Sequence, residues 1–331
     1  RERRLAGASK RAQTSAGLLV VGLQQRLLSS IEAFALSLEV HRRTVERQRS
    51  RAEPEEVRPL ADPEAFLEAP DADDDRAGWS DEELALEDDK QVAALTADVN
   101  TGDDPDAELW AEEQRLLDRM QAVAESARRQ PESKVRALLD WVREHQLPNM
   151  GSIGASWTER RLLIFTENRV GTKRYLKTML ESAIEGSELA DERIAVIDGH
   201  TSAERRKQIQ QRFNASPEHE PLRILIATDA AREGLNFQAY CSDLIHYDLP
   251  WNPGRIEQRN GRIDRKLQPA DEVRCHYFVL PQRVEDRVDE LAHVVLGLDP
   301  LLLQDRPQVL GDPGGGDRPE VEPLAAALDR G

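Results

Sequence analysis

A glutamine and two arginines near residue 260 have a spacing that suits phosphate binding. Gln258, Arg262 and Arg265 stand at i, i+4 and i+7, and residues so spaced on an α-helix project from one face. Asn252 and Pro253 suit the cap and the first turn of such a helix. Guanidinium groups are permanently charged forks that match phosphate oxygens. The pattern predicts a receptor for a phosphate chain, although a surface helix with arginine–carboxylate pairs would have the same composition.

A glycine within this segment, Gly261, favours the functional interpretation. In a helix interior, glycine costs about 1 kcal/mol relative to alanine, which suggests that another backbone or a ligand approaches closely. Since we interpret Gly261 as a residue of the helix interior, we expect the helix to continue through Arg265.

A buried strand that runs into a small, polar loop gives a second candidate site. The apolar run Ile224–Ala227 is followed by Thr228 and Asp229, and then by Gly234 and Asn236. Ligands bind at the carboxyl ends of parallel strands, where small residues let the backbone approach a phosphate or a ribose. Thr228 and Asp229 could instead only end the strand and cap a turn.

Hydroxyl side chains give a third candidate site. Thr201 and Ser202 precede a helical segment, and Thr201 with Glu204 fits a capping box. The N-terminus of a helix readily binds phosphate. Helix capping alone is the competing explanation. Thr166 directly follows another apolar run, Leu162–Phe165.

These segments resemble, in order and spacing, conserved motifs of superfamily 2 helicases. The matching segments are Leu163–Glu167 (motif IV), Asp198–Arg206, Ile224–Asn236 (motif V) and Gln258–Arg265 (motif VI, Q-x-x-G-R-x-x-R). The preceding Tyr247–Pro253 resembles the Swi/Snf-like form, particularly the RapA-like branch and the helicase-like component of DISARM phage-defence systems. A shorter segment, Leu23–Ser30, resembles the helical connector of the RapA-like branch.

The resemblance implies a role for each candidate residue. Arg262 and Arg265 would be arginine fingers on the γ-phosphate of ATP, with Arg265 the direct contact and Gln258 beside them. The positions expected to bind the nucleotide are Asp229, Gly234 and Asn236. Those expected to bind nucleic acid are Thr166, Thr201, Ser202, Thr228, Trp251 and Asn252.

Two parts of a complete motor are missing from the sequence. Such a motor needs a phosphate loop, G-x-x-x-x-G-K-[ST], and an acidic strand end for Mg²⁺, whereas no Gly-Lys dipeptide occurs here. Asp81–Leu84 mimics the acidic motif, but it follows Gly78-Trp79-Ser80 rather than an apolar run, so we reject it as a magnesium site. ATP with Mg²⁺ is therefore expected on a first lobe, supplied in cis or in trans. We expect this chain alone to be inactive.

The composition restricts the remaining possibilities. The net charge of −17 is concentrated in residues 51–130, which hold 25 acidic and 8 basic side chains, so the acidity does not exclude a polyanion-binding face elsewhere. Cys241 and Cys275 lie far apart, which argues against a zinc site or a disulfide framework. No apolar run is long enough for a membrane span and no secretory leader is present. A soluble, cytoplasmic protein is expected, and Arg1 suggests a fragment or a processed chain.

Hydrophobic periodicity predicts the organisation of the chain. Residues 1–50 are expected to form a helical connector, as one long helix or a pair, and residues 51–130 an acidic insertion that is mobile up to residue 105 and helical at its end. Residues 131–290 alternate apolar runs with helices, which predicts an α/β lobe with a RecA-like parallel sheet and flanking helices. Residues 291–331 are expected to complete a helix near Val284–Leu296 and to end in a flexible tail.

The sequence thus predicts the second motor lobe of an ATP-dependent DNA translocase, with duplex DNA as the preferred partner. A lobe of a strand-separating DNA or RNA helicase is the alternative within the same class. A non-catalytic nucleic-acid-binding or scaffold module is the alternative from another class, because the fold alone does not determine activity.

Overall fold

A computed structural model describes residues 9–50, 64–67, 74–99, 107–128, 130–167, 171–229, 234–250, 252–279 and 299–302. Within these ranges the chain is an α/β protein whose parallel sheet is flanked by helices and preceded by a helical bundle. None of the described helices combines the length and the apolar character that a membrane crossing requires.

Six parallel strands form one sheet in the order β2-β3-β1-β4-β5-β6. They are β1 (Leu162–Thr166), β2 (Ile194–Ile197), β3 (Ile224–Thr228), β4 (Asp243–His246), β5 (Arg274–Val279) and β6 (Asp299–Leu302). In the centre, Ile164 of β1 is in register with Ile226 of β3 and Ile245 of β4. Five of the strands coincide with the apolar runs, and the predicted RecA-like fold is confirmed.

The sixth strand was not predicted. β6 pairs with β5, so that Tyr277 is in register with Pro300, although Asp299–Leu302 falls in the part expected to be a flexible tail. For these residues the expectation is wrong. The helix predicted near Val284–Leu296 and the tail beyond residue 302 lie outside the described residues.

Helices precede the sheet and connect its strands. They are α1 (Lys10–Ser29), α2 (Ile31–Ser50), α3 (Asp81–Val99), α4 (Ala107–Ala127), α5 (Ser133–His145), α6 (Thr172–Ile184), α7 (Ala203–Phe213) and α8 (Pro253–Asn260). Of the two predicted arrangements, one long helix or a pair, the structure has the pair, because Ser30 between the first two helices has extended backbone angles (φ −159°, ψ 155°). Single 3-10 turns occur at Glu64–Leu67, Asp75–Gly78 and Ala190–Glu192.

Alternate side chains of the central strands point to opposite faces of the sheet, as strand geometry requires. Ile164, Ile226 and Ile245 belong to an apolar cluster that continues through α5 and α6 into the N-terminal bundle. Leu163 and Leu225 belong to a second cluster on the other face, which includes side chains of α7 and α8. The bundle and the lobe therefore share one hydrophobic core on one face of the sheet.

Part of the acidic segment is a structural element of the bundle. Helix α3 packs against α1 and α2, and it buries Leu84, Val92 and Leu95. The prediction that the acidic insertion is mobile up to residue 105 is wrong for α3. An acidic composition alone does not reveal whether a helix also has an apolar face that can pack.

The turn Glu64–Leu67 also packs against the bundle. Phe66 is buried, and a Cβ atom at Gly22 would lie 2.1 Å from its ring. The guanidinium of Arg26 lies 4.1 Å from the centre of the same ring and pairs with Asp88 of α3. Because Gly22 has no side chain, Phe66 of the acidic segment can pack against α1.

We expect Leu95→Ala to lower the free energy of unfolding by about 2–5 kcal/mol, because it leaves a cavity in a fully buried position. Leu86→Ala on the same helix is the matched control, since Leu86 is 57% exposed, and should change it by less than about 0.5 kcal/mol. Chemical denaturation followed by circular dichroism measures both. Equal, small effects would show that α3 is not part of the cooperative core.

Candidate active site at the carboxyl edge of the sheet

The predicted stripe of Gln258, Arg262 and Arg265 is not formed as a helical face. Helix α8 ends at Asn260, and Gly261 is its C-terminal cap with ordinary angles (φ −61°, ψ −1°). Arg262 and Arg265 therefore follow the helix in a series of turns, and Gly261 is not in a helix interior. Asn252 and Pro253 start the helix as expected, but after Asn260 the chain continues in turns, in which the amides of Arg262 and Ile263 donate to the backbone oxygens three residues earlier.

Arg259, one residue after Gln258, is the buried centre of the site. Its Nε donates to Oδ1 of Asp229 at 2.6 Å, and Nη2 donates to Oδ2 of the same carboxylate. Nη1 donates to the backbone oxygen of Asp248 at 2.6 Å, and the guanidinium lies 5.4 Å from the ring centre of Phe165. Arg259 is 2% exposed. This side chain therefore ties α8 to the ends of β1, β3 and β4.

Asp248, which follows β4, connects the same edge to the helical bundle. Its carboxylate accepts from the Thr166 hydroxyl at 2.6 Å and from the Ser29 hydroxyl at 3.2 Å. Lys134 at the start of α5 donates to it at 3.2 Å. Lys134 also donates to the backbone oxygens of Leu28 and Ser29, each at 2.7 Å. The end of α1 is thereby hydrogen-bonded to the segment that precedes α8.

His246 at the end of β4 is held neutral beside Arg259. Its Nε2 lies 2.8 Å from Oδ1 of Asn260, which can only accept, so Nε2 carries the proton. Burial, assisted by the positive charge of Arg259, lowers the pKa of His246 to about 3. The imidazole is therefore uncharged at neutral pH and adds no positive charge to the site.

The three residues expected to bind nucleotide lie in one region but differ in which of their atoms are already hydrogen-bonded within the protein. Both carboxylate oxygens of Asp229 are engaged by Arg259, so its immediate role is to orient α8. Gly234 has a left-handed backbone (φ 99°), a conformation that favours glycine, and among the described residues no neighbouring atom lies within 4 Å of the position of a Cβ. Oδ1 of Asn236 is buried without a hydrogen-bond partner among the described residues. Nucleotide binding by these residues stays a prediction.

The two threonines at strand ends are not surface groups. Thr166 and Thr228 are both fully buried, and the Thr166 hydroxyl is hydrogen-bonded to Asp248. Protein atoms cover both side chains in this structure, and nucleic-acid binding by Thr166 and Thr228 stays a prediction. Asn252 is exposed and caps α8 by accepting from the amide of Gly254 at 2.9 Å. Trp251 lies outside the described residues.

The segment before α7 keeps its hydroxyls near the surface, with a different cap from the predicted one. Ser202 is the N-cap and accepts from the amide of Arg205 at 3.3 Å. Thr201 instead closes a turn, in which its hydroxyl donates to Oδ1 of Asp198 at 2.7 Å. The capping box of Thr201 with Glu204 is therefore not formed, because Asp198 competes for the threonine hydroxyl.

Arg262 and Arg265 differ in how firmly they are placed. The backbone oxygen of Arg262 accepts from the amide of Phe237 at 2.9 Å, and its Nη1 donates to the backbone oxygen of Leu235 at 3.3 Å. Arg265 is exposed, and its Nε donates to the backbone oxygen of Gly261 at 2.6 Å. The turns after α8 are thus attached to the segment that follows β3, and Gln258 is exposed on α8.

Sequence reasoning missed Arg259, Asp248 and Lys134 as functional residues. Two signals were available. Arg259 lies within the quoted motif VI, and Asp248 is a charged residue that directly follows an apolar run. Lys134 had none, because its partners are more than 100 residues away in the chain. Among the described residues, no group of His, Cys, Asp and Glu side chains could hold a metal ion.

The described edge, with its arginine-bearing turns beside the β3 loop, corresponds to a known helicase domain. Residues 149–266 match the family described as "Helicase conserved C-terminal domain". This match covers β1 to α8 and every predicted site residue.

Curated relatives match parts of the chain. An "Uncharacterized ATP-dependent helicase YqhH" from Bacillus subtilis is 44% identical over 72 residues, 22% of this chain and 13% of that protein. "Transcription regulatory protein SNF2" from Saccharomyces cerevisiae is 32% identical over 108 residues, 33% of this chain and 6% of that protein. "RNA polymerase-associated protein RapA" from Pectobacterium carotovorum is 48% identical over 48 residues, 14% of this chain and 5% of that protein. Over these segments the chain is similar to proteins named as an ATP-dependent helicase, a transcription regulator and an RNA polymerase-associated protein.

A solved structure, "Crystal structure of the C-terminal part of Fun30 ATPase domain", aligns with 61% of this chain and 57% of that one, with a TM-score of 0.38 and 19% identity. The matched segments are small parts of the first two relatives named above, 13% and 6% of their lengths.

Arg259→Met should lower the free energy of unfolding by about 3–5 kcal/mol, because it leaves the Asp229 carboxylate buried without its partner. Arg265→Met, an exposed position, is the matched control and should have little effect. Replacing both partners, with Arg259→Met and Asp229→Leu, should recover part of the loss. The ion pair would not be the organising contact if Arg259→Met were as stable as the control.

Stability should fall as the pH drops from about 7.5 to about 5. An unfolded histidine takes up a proton near pH 6.5, whereas folded His246 does so only near pH 3. The unfolded state therefore binds more protons in this window, and its advantage reaches about 2 kcal/mol at about pH 5. Denaturation at the two pH values measures this effect.

In His246→Gln the corresponding part of the pH dependence should disappear. His219→Gln is the control, because His219 is exposed and its loss should leave the dependence unchanged. An unaltered pH dependence in His246→Gln would assign the effect to another group.

Proposed function

We propose that this chain contributes the second motor lobe of an ATP-dependent DNA translocase, with Arg262 and Arg265 acting on the γ-phosphate of ATP. One observation carries the proposal. The turns that bear both arginines are hydrogen-bonded to the segment after β3, through Phe237 and Leu235. Two segments that resemble helicase motifs, and that stand apart in the sequence, are thereby assembled at one place.

Arginine fingers need a fixed support and a guanidinium that can turn toward the phosphate. Arg259 locks α8 to Asp229, so the turns that follow it start from a rigid point. Arg265 is exposed and can reach a phosphate held by another domain. Such an arginine stabilises the negative charge that develops on the transferred phosphoryl group.

ATP with its Mg²⁺ would be held mainly by a first lobe, in cis or in trans, because the sequence has no Gly-Lys phosphate loop and Asp81–Leu84 begins a helix of the bundle rather than following a strand. The residues of this chain that would face the nucleotide are Arg262, Arg265, Gln258, Gly234 and Asn236. Asp229 would act through Arg259. Closure of the two lobes on ATP and their opening after hydrolysis would move nucleic acid stepwise.

Nucleic acid would cross the carboxyl edge of the sheet, where Ser202, Thr201 and Asn252 lie at or near helix N-termini. Duplex DNA is the proposed partner, since the matched relatives include the transcription regulatory protein SNF2 and the RNA polymerase-associated protein RapA. A strand-separating motor is the second candidate, because one of the relatives is named an ATP-dependent helicase. A DISARM phage-defence context and a cytoplasmic location stay predictions from the sequence.

The test is ATP turnover by this chain joined to an ATP-binding lobe, in the presence of duplex DNA. Arg265→Ala and Arg262→Ala should each lower turnover by on the order of 10³-fold, because each removes charge stabilisation in the transition state. Lys266→Ala is the matched control, as it removes a neighbouring exposed cation outside the motif. Near-normal turnover in both arginine variants would refute the assignment.

Without an added lobe, the chain should release no phosphate above the level of its own Arg265→Ala variant. Exposed arginines act in a high dielectric and are screened by salt, so binding of free ATP should be weak. Arg265-dependent hydrolysis by the chain alone would mean that it contains a phosphate-binding site of its own.

A further inference from the structure

An acidic side chain from the N-terminal bundle occupies the lobe's phosphate-facing edge. Asp81, the first residue of α3, accepts from Nζ of Lys173 at 2.7 Å. Lys173 is on the first turn of α6, which follows β1. Its side chain is 11% exposed, whereas that of Asp81 is 55% exposed. The carboxylate therefore lies over a lysine that it largely shields from solvent.

The same lysine contacts the turn that carries the predicted nucleic-acid contact Thr201. Nζ of Lys173 also pairs with Oδ2 of Asp198, and Oδ1 of Asp198 accepts from the hydroxyl and the amide of Thr201. Arg206 holds this turn in place by donating to the backbone oxygen of Gly199 at 2.6 Å. Lys173, the Thr201 turn and the N-terminus of α7 thus form one basic and hydroxyl-bearing surface.

The ionisation of these groups agrees with a strongly charged contact. Burial acts against the charge on Lys173, but hydrogen bonds to Asp198 and Asp81 outweigh it and raise the pKa of Lys173. Burial likewise opposes ionisation of Asp198, but hydrogen bonds from Lys173 and Thr201 hold its pKa below the usual value. Lys173 and Asp198 are therefore charged at neutral pH, and the three N–H donors of the ammonium group let it bind a second anion beside Asp198.

Other acidic residues near Asp81 face basic groups on the same edge. Glu83 is hydrogen-bonded to the amide and hydroxyl of Ser80 and also senses the charge of His200, beside Thr201. Asp74 is paired mainly with Arg76 and also senses Arg255 on α8. The residues from 74 to 83 therefore run along the edge between the Thr201 turn and the start of α8.

We infer that Lys173 is a binding residue for a nucleic-acid phosphate and that Asp81 occupies its place as a competing anion within the chain. This inference rests on the proposed function and adds a residue and a regulatory contact to it. A carboxylate and a phosphate offer an ammonium group the same charge and hydrogen-bond acceptors. DNA that reaches Lys173 must displace Asp81, so the start of α3 weakens binding until a phosphate takes its position.

The test is the affinity of the full chain for a fluorescein-labelled DNA duplex, measured by anisotropy across a series of salt concentrations. Asp81→Asn should bind roughly fivefold more tightly, because a competing ion pair of modest strength is removed. The slope of log affinity against log salt should also steepen by about 0.9, the contribution of one additional phosphate contact.

Asp118→Asn on α4 is the matched control. It removes the same charge and likewise breaks an exposed ion pair, with Arg42 at 2.5 Å, on a helix that packs against α2. In a Lys173→Gln background the gain from Asp81→Asn should vanish, because the two changes act on one interaction. Circular dichroism melting checks that each variant is folded.

The outcomes separate the inference from the proposed function. A gain that is specific to Asp81→Asn and depends on Lys173 supports the inference. Equal affinities for Asp81→Asn and Asp118→Asn, with DNA still bound, would overturn the inference and leave the proposed function standing. If none of the proteins bound DNA even at low salt, both would be overturned.

Discussion

The ion pair between Arg259 and Asp229 is the contact on which the arrangement of the site depends. A buried guanidinium is tolerated only when its donors are satisfied, and here they are distributed among the ends of β3 and β4. Each of these groups lies at the carboxyl edge of a parallel sheet, where strand ends converge. The arginines after α8 inherit their position from this pair and from the hydrogen bond between His246 of β4 and Asn260, the last residue of α8.

The same edge is also attached to the helical bundle. Lys134 binds the last backbone oxygens of α1, where the helix dipole is negative, and at the same time reaches the segment after β4. Asp248 receives hydrogen bonds from both sides of this junction. A movement of the bundle relative to the lobe would therefore disturb Asp248, and through its backbone oxygen it would disturb Arg259.

The sequence allowed the sheet to be predicted well, because five of its strands are short apolar runs whose pattern is set locally. It also indicated which loops carry chemistry. The predictions from the sequence failed where the conformation or burial of a residue depends on partners that are distant in the chain. The burial of Thr166 and Thr228 was not predicted, because it depends on neighbouring strands. Helix α8 was predicted to continue through Arg265, but its end at Asn260 depends on how the turns after Gly261 pack.

The acidic segment shows the same limitation more clearly. Its composition suggested a mobile polyanion, but the apolar positions of α3 are few and become decisive only when α1 and α2 are beside them. The buried lysine contact made by Asp81 was likewise invisible in the sequence, since Lys173 stands 92 residues further along the chain.

The apolar cluster that runs from the bundle into the sheet has a consequence for how the molecule opens. The side chains of α1, α2, α5 and the central strands form one continuous apolar cluster. The bundle therefore cannot detach without exposing an apolar face of this cluster to water. Backbone amides of α2 and of β1 should then exchange their hydrogens through the same opening event. A shortened chain beginning at residue 131 would present that face to other molecules and would tend to self-associate.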